Sequence, residues 1–161
     1  MSDVKDQLKL SLRKFPAAVT VISLRQKNGE FCGITATAVT VMTLQPPTLI
    51  SCINSESLFA GALAQASHFC INVLKQEQEA VSAACAGAIP QKDREAIGHW
   101  VSGVEGVPVL SDAQANFICR KQAINLHGTH LLVFGEVLEA RAADVLAPLL
   151  YADQKYGTFS A

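Results

Sequence analysis

The sequence predicts a mainly β protein: a barrel of short strands with a few helices on its outside. Short apolar segments separated by turn-forming residues recur along the chain from Val19 onward, which is typical of barrels and not of doubly wound sheets. After the first strand, only two segments show helical character. The Asn28-Gly29 pair marks a β-hairpin between the first two strands, because Asn-Gly favours tight hairpin turns.

The first elements follow from spacing and turn chemistry. Leucine and valine at four-residue spacing favour a helix from Asp3 to Lys14 that ends before Pro16. A two-residue type I′ turn at Asn28-Gly29 would then pair Val19–Leu24 with Phe31–Val39.

A Pro-Pro turn, an apolar strand and a helix follow the first hairpin. The Pro46-Pro47 turn precedes an apolar strand, Leu49–Ile53. A helix is expected over Leu58–Ala66, with Ser57 or Ser55 as its N-cap.

The second half of the chain predicts strands around one more helix. Phe69–Leu74 is a short apolar strand, and Gln76–Ala86 is a helix closed by Gly87. Gly87–Val107 is rich in loop-forming residues and carries a charged cluster around Arg94. The remaining strands are predicted over Ala115–Arg120, Ile124–Leu126 and His130–Ala140, with a short turn of structure at Leu149–Tyr151.

Composition points to one domain that associates with another copy of itself. The 161 residues suit a single domain over 1–161. Charged residues make up 17% of the chain, below the roughly 25% usual in soluble domains, and hydrophobic residues make up 50%. So few charges predict that another subunit covers part of the surface, as in a homodimer. The net charge of −1 gives no reason to expect nucleic acid or an anionic membrane as a partner.

The chain shows no signal for export or for a membrane. No apolar run approaches the roughly 18 residues that a spanning helix needs, and the segment from Met1 to Lys14 lacks an apolar signal core. The five cysteines are widely spaced without a Cys-x-x-Cys pair, which predicts reduced thiols and a cytoplasmic location.

Small residues alternate in an unusual way in the second predicted strand. Thr35 and Thr37 would present hydroxyls on one face, and Ala36 and Ala38 would present methyls on the other. Such side chains leave room for a flat ligand and keep hydrogen-bonding capacity, and Gly33 lets the backbone approach closely. Tight packing against a neighbouring strand or helix explains the same pattern, and both interpretations stay open.

Familiar catalytic motifs are absent from the sequence. It contains no Gly-x-Gly-x-x-Gly, phosphate-binding P-loop, Gly-x-Ser-x-Gly or His-Glu-x-x-His motif. His127 and His130 form a close pair without a third cysteine, histidine or carboxylate nearby. We therefore expect no zinc site and no hydrolase nucleophile.

Several motifs, in order and at similar spacing, resemble the short-chain flavin reductase family. Within that family, the chain is most similar to the reductase component of 4-hydroxyphenylacetate 3-monooxygenase. The resemblance covers roughly residues 8–157. The matching residues are Ala17-Ala18-Val19-Thr20-Val21-Ile22, Cys32-Gly33-Ile34-Thr35-Ala36-Thr37-Ala38-Val39, Pro46-Pro47, Cys52-Ile53-Asn54, Cys70-Ile71-Asn72-Val73-Leu74, Glu77-Gln78-Glu79, Gly128-Thr129-His130, Tyr151 and Tyr156.

The resemblance implies a fold and an activity. The fold would be the FMN-binding split β-barrel with Greek-key topology. The activity would be reduction of FMN or FAD by NADH, with NADPH left open, in a homodimer that supplies reduced flavin to a separate aromatic monooxygenase. Two alternatives stay open: a non-catalytic flavin-binding or electron-carrier protein on the same barrel, and an enzyme like pyridoxamine-phosphate oxidase. For the second alternative we would expect more basic residues.

The resemblance also implies where the flavin would bind. The stretch from Thr35 to Ala38 would lie along the isoalloxazine ring and the ribityl chain, and Cys52, Ile53, Asn54 and Ser57 would continue toward the phosphate. The amides at a helix start favour an anion on independent grounds, so a phosphate beside Ser57 agrees with its position before a helix. Alternatively, Ser57 only caps the helix.

Three further residues take roles from the resemblance. His130 would lie beside the nicotinamide and the flavin, although the usual motif is Gly-Asp-His and this chain has Gly-Thr-His. Arg94 would pair with a phosphate, and Tyr156 would border the nicotinamide pocket of its own or the partner subunit. Their alternatives are an idle turn residue, a solvated helix end and a packing residue, respectively.

Overall fold

The computed structural model describes residues 3–159, which form an antiparallel barrel with three α-helices and several single turns of helix. The helices are α1 (Val4–Leu12), α2 (Leu58–Gln65) and α3 (Glu79–Ala83). The strands are β1 (Ala17–Ala18), β2 (Thr20–Arg25), β3 (Phe31–Ala36), β4 (Val39–Leu44), β5 (Pro47–Asn54), β6 (His68–Val73), β7 (Trp100–Ser102), β8 (Pro108–Leu110), β9 (Ala115–His127), β10 (His130–Ala142), β11 (Leu149–Ala152) and β12 (Lys155–Thr158).

One seven-stranded sheet makes the barrel, in the order β3-β2-β6-β9-β10-β5-β4. Its two edge strands, β3 and β4, follow each other in the chain and are joined only by Thr37 and Ala38. This short connection requires the sheet to curl until its edges approach each other. On the β4 side, the amide of Cys52 in β5 donates to the carbonyl of Ala38 at 2.9 Å, which extends the β4–β5 ladder to Ala38. This arrangement confirms the predicted split barrel, with non-sequential strand pairing.

The barrel interior is apolar and is covered at one end by α2. Ile22, Leu24, Ile53, Phe69 and Ile71 are almost fully buried there. Helix α2 adds Phe59 and Leu63 to the same cluster. Burial of such large side chains stabilises the fold by roughly 1.5–3 kcal/mol each, which makes this cluster the main source of stability.

A buried polar network centres on Asn72 in β6. Its amide nitrogen donates to the Val21 carbonyl and to the Ser23 hydroxyl, both at 2.9 Å. Its amide oxygen accepts from the Leu110 backbone and from the Asn116 amide, both also at 2.9 Å. These bonds fasten β2, β6, β8 and β9 to one another. Because Asn72 is fully buried, its amide group requires this pairing.

The first hairpin forms where predicted but with a different turn. Arg25 pairs with Phe31, and the Gln26 amide donates to the Glu30 carbonyl at 2.9 Å. Only Gly29 has positive φ, at 84°, whereas a type I′ turn needs positive φ at two residues. The loop is therefore longer than the predicted two-residue turn, and β3 ends at Ala36 instead of Val39.

Other boundaries differ for local reasons. β9 is one strand, not two, because a bulge at Gln122 absorbs the irregularity between Lys121 and Ala123. The predicted helix Gln76–Ala86 is shorter: α3 ends at Ala83 and passes into a wider π-helical turn, where Gly87 has φ of 113°. The Ser57 cap, the Pro46-Pro47 turn and the remaining predicted strands are confirmed within a few residues.

Helix α1 forms as predicted but buries none of its residues. Val4, Leu8 and Leu12 are all more than half exposed. β4 is an edge strand that sequence patterning did not identify, and its Val41, Met42 and Leu44 are exposed as well. Within residues 3–159, no helix is both long and apolar enough to cross a membrane.

The Asn72 network yields a stability prediction. Replacing Asn72 with leucine leaves the buried Leu110 amide without its partner. It also removes one of the two bonds that the Asn116 amide nitrogen donates, the other being to the Leu110 carbonyl at 3.0 Å. We expect the free energy of unfolding in urea to fall by about 3 kcal/mol, because each buried unpaired group costs about 1–3 kcal/mol. The matched control is Asn125→Leu, on the exposed part of β9, for which a change within about 0.5 kcal/mol is expected. A loss below 1 kcal/mol for Asn72→Leu would contradict this account.

Candidate functional site

An open groove of about 520 Å³ lies where the two edges of the barrel meet. Thr37 and Ala38 form one side, and Ile50 and Cys52 of β5 form the floor. Residues 15–18, which follow α1, form the opposite wall. Thr37 and Ala38 also border a second groove of about 630 Å³ that runs between α1 and the β11–β12 hairpin. Small side chains at the junction leave both grooves open toward the backbone.

His130 lies on the same face of the sheet as the groove floor. It begins β10 and pairs with Asn54 of β5, while Leu132 pairs with Cys52 two residues along. Because side chains alternate across a strand, Cys52, Asn54 and His130 share one face. The imidazole is exposed, and its Nδ1 lies 2.9 Å from the hydroxyl of Thr129.

A third, smaller pocket of about 180 Å³ holds a positive charge. Arg94 lines it, and one guanidinium nitrogen donates to the Gly33 carbonyl at 2.8 Å, to the Gln91 side chain at 2.7 Å and to the Cys85 carbonyl at 3.3 Å. None of the ion pairs within residues 3–159 involves Arg94. A half-buried cation without a carboxylate partner attracts an anion.

Ser57 and the start of α2 face the same pocket. The Ser57 hydroxyl accepts from the Ala60 amide at 3.1 Å and donates to the Asn54 carbonyl at 2.7 Å. The serine therefore caps its helix, a role that can coexist with the predicted contact to a phosphate. The pocket lies beside the free amides of the first helical turn, so the helix start and Arg94 favour negative charge together.

Gly33 approaches the protein's own side chains closely. A Cβ at this position would lie 2.8 Å from the Phe31 ring and 3.2 Å from the Cys85 thiol. The glycine is buried, and its carbonyl holds the Arg94 guanidinium. In this structure the glycine thus fits closely against Phe31 and Cys85, and its carbonyl anchors Arg94.

Thr35 does not share a hydroxyl-lined surface with Thr37. Its hydroxyl donates to the Ser82 carbonyl at 2.7 Å, and it is absent from the groove lining. Ser82 also bonds the Tyr156 hydroxyl at 2.8 Å, and the Tyr156 ring packs on the second core cluster. The expected alternating face ends because β3 ends at Ala36. Within one subunit, Tyr156 is a packing residue.

Two further predicted residues have side chains in or against the core. Ile53 is 1% exposed within the barrel interior, so it can meet a ligand only through its backbone. Ala36 is partly buried and packs against the same cluster. Asn54 keeps an exposed side chain, although its amide oxygen accepts from the Glu56 amide at 3.0 Å.

Burial raises the pKa of the thiols near the pocket. It raises the pKa of Cys32 to about 11 and that of Cys85 to about 12, and the charge of Arg94 only partly opposes this rise. Burial likewise raises the pKa of Cys119 to about 12 and raises the pKa of Cys70. All five cysteines are free, and Cys52 alone is only half buried.

Known proteins resemble this chain over nearly its whole length. The family model described as "flavin reductase like domain" matches residues 12–160. The chain belongs to this family. It is 34% identical over 154 residues to the reductase component of the FADH₂-dependent resorcinol hydroxylase of Rhizobium sp. strain MTP-10005, covering 95% of this chain and 86% of the relative. The resemblance predicted from sequence motifs is thus confirmed.

Two other flavin reductases are also similar over nearly the whole chain. An NADH-dependent FMN reductase of Variovorax paradoxus is 33% identical over 151 residues, covering 94% of this chain and 83% of the relative. The structure of an NADH:FAD oxidoreductase from Streptomyces globisporus has a TM-score of 0.89 and 27% identity, covering 99% of this chain and 96% of that one. These likenesses extend over the full barrel.

Sequence analysis did not single out several residues that build the cationic pocket. Gln91 accepts from Arg94 one helical turn away, and Leu58 and Cys85 complete the lining. The three-residue spacing of Gln91 and Arg94 was a usable signal, because such residues are neighbours on a helical turn. Nothing in the sequence near Cys85 indicates that it lies against Gly33.

The thiols give a prediction on accessibility. At pH 8, an aromatic disulfide reagent should modify Cys52 rapidly in the folded protein, whereas the other four cysteines should react only after unfolding. The reason is that burial excludes the reagent and a pKa of about 11–12 keeps Cys32, Cys85 and Cys119 protonated at this pH. Cys52→Ser is the control and should remove the fast phase. Rapid reaction of the Cys52→Ser protein would contradict the prediction.

Proposed function

We propose that this protein is an NADH-dependent flavin reductase that reduces FMN or FAD and supplies the reduced flavin to a separate flavin-dependent monooxygenase. The observation that carries the proposal is the pairing of an open groove at Thr37 and Ala38 with an uncompensated cation at Arg94. The groove suits a flat ring, and the pocket at Arg94 suits a phosphate. Relatives named as FMN reductases and as a hydroxylase reductase component support the same conclusion.

The spacing of the two ends suits a flavin nucleotide. The Gly33 carbonyl accepts from Arg94, and Thr37 borders the groove four positions further on, where the chain bends at the end of β3. At about 3.3 Å per residue of strand, this separation is at most on the order of 13 Å. A ring joined to a phosphate by a flexible ribityl chain spans such a distance. We infer that the phosphate binds between Arg94 and the start of α2, and that Thr37, Ala38 and Cys52 lie against the ring.

His130 would position the nicotinamide. It is exposed and lies on the sheet face that carries Cys52 and Asn54, so it can approach a dinucleotide stacked on the outer side of the ring. If flavin and NADH bind together, the flavin would supply the chemistry by accepting a hydride from the nicotinamide. Transfer needs the two rings in close contact, and the chain's part is to hold them so. In the described residues, no cluster of basic side chains lines the groove floor, which favours NADH over NADPH.

We also propose a homodimer. Exposed apolar residues on α1 and on the edge strand β4 support it, because a soluble protein seldom leaves two such surfaces uncovered. An exposed edge strand also invites pairing with another chain. Sedimentation equilibrium at low micromolar concentration tests this proposal, and a mass near 17.2 kDa would exclude it.

Location and domain organisation complete the proposal. Five free cysteines support a reducing compartment, and we propose that the protein acts in the cytoplasm. We further propose that residues 1–161 act as one domain, since a single sheet links β2 to β10.

A direct assay tests the activity. Purified protein is mixed with NADH and catalytic free FMN or FAD, and absorbance of NADH is followed under air, where reduced flavin reoxidises. Continuous NADH consumption that depends on both protein and flavin supports a reductase. Flavin binding without NADH consumption would instead support a flavin carrier. An activity only on a pyridoxine phosphate would support the alternative of an enzyme like pyridoxamine-phosphate oxidase.

Removing the cation at Arg94 should weaken FMN binding selectively. We expect Arg94→Ala to raise the dissociation constant for FMN by roughly 10- to 100-fold, since a charge-assisted hydrogen bond contributes about 1.5–3 kcal/mol. Riboflavin, which has no phosphate, should bind the variant and the wild type about equally. Arg94→Lys is the matched control and should retain part of the difference. Equal weakening of FMN and riboflavin would indicate that Arg94 only supports the fold.

Replacing His130 should affect the dinucleotide but not the flavin. We expect His130→Ala to keep flavin affinity within a few-fold and to lower kcat/KM for NADH by roughly 10- to 100-fold, or about 1.4–2.7 kcal/mol of transition-state stabilisation. Stopped-flow reduction and fluorescence titration separate the two quantities. Loss of flavin binding would place His130 in the flavin pocket, and no change in either quantity would remove it from the site.

A further inference from the structure

His127 and His130 form a cross-strand pair at the tip of the β9–β10 hairpin. The register places the two residues directly opposite each other, on either side of a two-residue turn formed by Gly128 and Thr129. Directly paired side chains project from the same face of a hairpin, with Cβ atoms about 4.5–5.5 Å apart. Two imidazoles at this spacing can reach a common point above the sheet.

Both histidines are free to turn toward such a point. They are exposed, and neither takes part in an ion pair among the described residues. The Thr129 hydroxyl lies 2.9 Å from Nδ1 of His130. If that nitrogen donates to the hydroxyl, the lone pair of Nε2 is left for a ligand bond, which is the usual arrangement of a metal-binding histidine.

We propose that His127 and His130 together bind a divalent transition-metal ion, with Zn²⁺ as the test case, and that the bound ion inhibits flavin reduction by occupying His130. Neutral imidazole suits Zn²⁺, Ni²⁺ and Cu²⁺. Within residues 3–159, no three His, Cys, Asp or Glu side chains form a metal-binding cluster, so water completes the coordination. This two-ligand site is weak and reversible, and it differs from the zinc site with three or four protein ligands that we did not expect from the sequence.

The inhibitory part of the proposal rests on the role proposed for His130, whereas the metal site itself does not. A metal bound through His130 would hold the imidazole at the hairpin tip and away from a dinucleotide. His127 has no part in the proposed flavin or NADH contacts. Its replacement should therefore remove the metal effect and leave basal activity intact.

Calorimetric titration of the flavin-free protein with Zn²⁺ tests the site directly. We expect one Zn²⁺ per chain for the wild type, and binding at least roughly tenfold weaker for His127→Gln, since even indirect supports of a metal ligand contribute 10- to 100-fold to affinity. Two controls should bind like the wild type. They are His99→Gln, which removes an exposed histidine beside Asp112, and Cys52→Ser, which removes the half-buried thiol on the same sheet face. Wild-type affinity in His127→Gln, or lost affinity in either control, would overturn the proposal.

The activity assay tests the inhibition separately. Zn²⁺ should lower NADH oxidation by the wild type, a chelator should restore it, and His127→Gln should resist the same Zn²⁺ concentrations. Equal inhibition of both proteins would overturn the inhibitory role even if calorimetry supports the site. A protein that binds Zn²⁺ through the pair but never oxidises NADH would refute the proposed reductase activity and leave the metal site standing.

Discussion

The two-residue connection between β3 and β4 is the constraint on which the site depends. Thr37 and Ala38 alone join the two edges of a seven-stranded sheet, so the sheet has to close on itself there. The Ala38 carbonyl accepts from the Cys52 amide, which continues the β4–β5 pairing up to the junction, and Thr37 and Ala38 line an open groove there. Larger residues at this junction would fill the space that a ring needs. Barrel closure and ligand access therefore both depend on this two-residue connection and its small side chains.

The position of Arg94 shows how the fold prepares a site for an anion. Half-burying a guanidinium without a carboxylate would be costly if its donors lacked partners. Here backbone carbonyls, chiefly that of Gly33, accept from one side of the group and fix its direction without neutralising its charge. Gly33 permits this because any side chain would strike Phe31 and Cys85. The charge acts together with the start of α2, and the neighbouring thiols stay protonated because burial outweighs the field of the guanidinium.

Local sequence signals predicted the secondary-structure elements well and the tertiary contacts less well. Asn28-Gly29, Pro46-Pro47 and Ser57 each carry turn or cap chemistry that acts within a few residues, and each lies at a turn or helix start. The Thr-Ala alternation suggested one continuous strand, but barrel closure ends β3 at Ala36 and gives Thr35 a partner in α3. The strand β4 was missed since its exposed apolar residues lack the alternation of a half-buried strand.

The sequence by itself determined the fold class, the family and the segment around which the site is built, because hydrophobic spacing, turn residues and ordered motifs all act locally or can be compared directly. Tertiary structure alone decided which side chains reach the site. It buried Ile53 and packed Ala36 against the core. It placed Thr35 and Tyr156 within hydrogen-bonding distance of Ser82. It also brought Gln91 and Cys85 to Arg94. It also set His127 opposite His130 and His130 beside Asn54. These contacts depend on strand register and on closure of the barrel, and both arise from packing between segments that are distant in the chain.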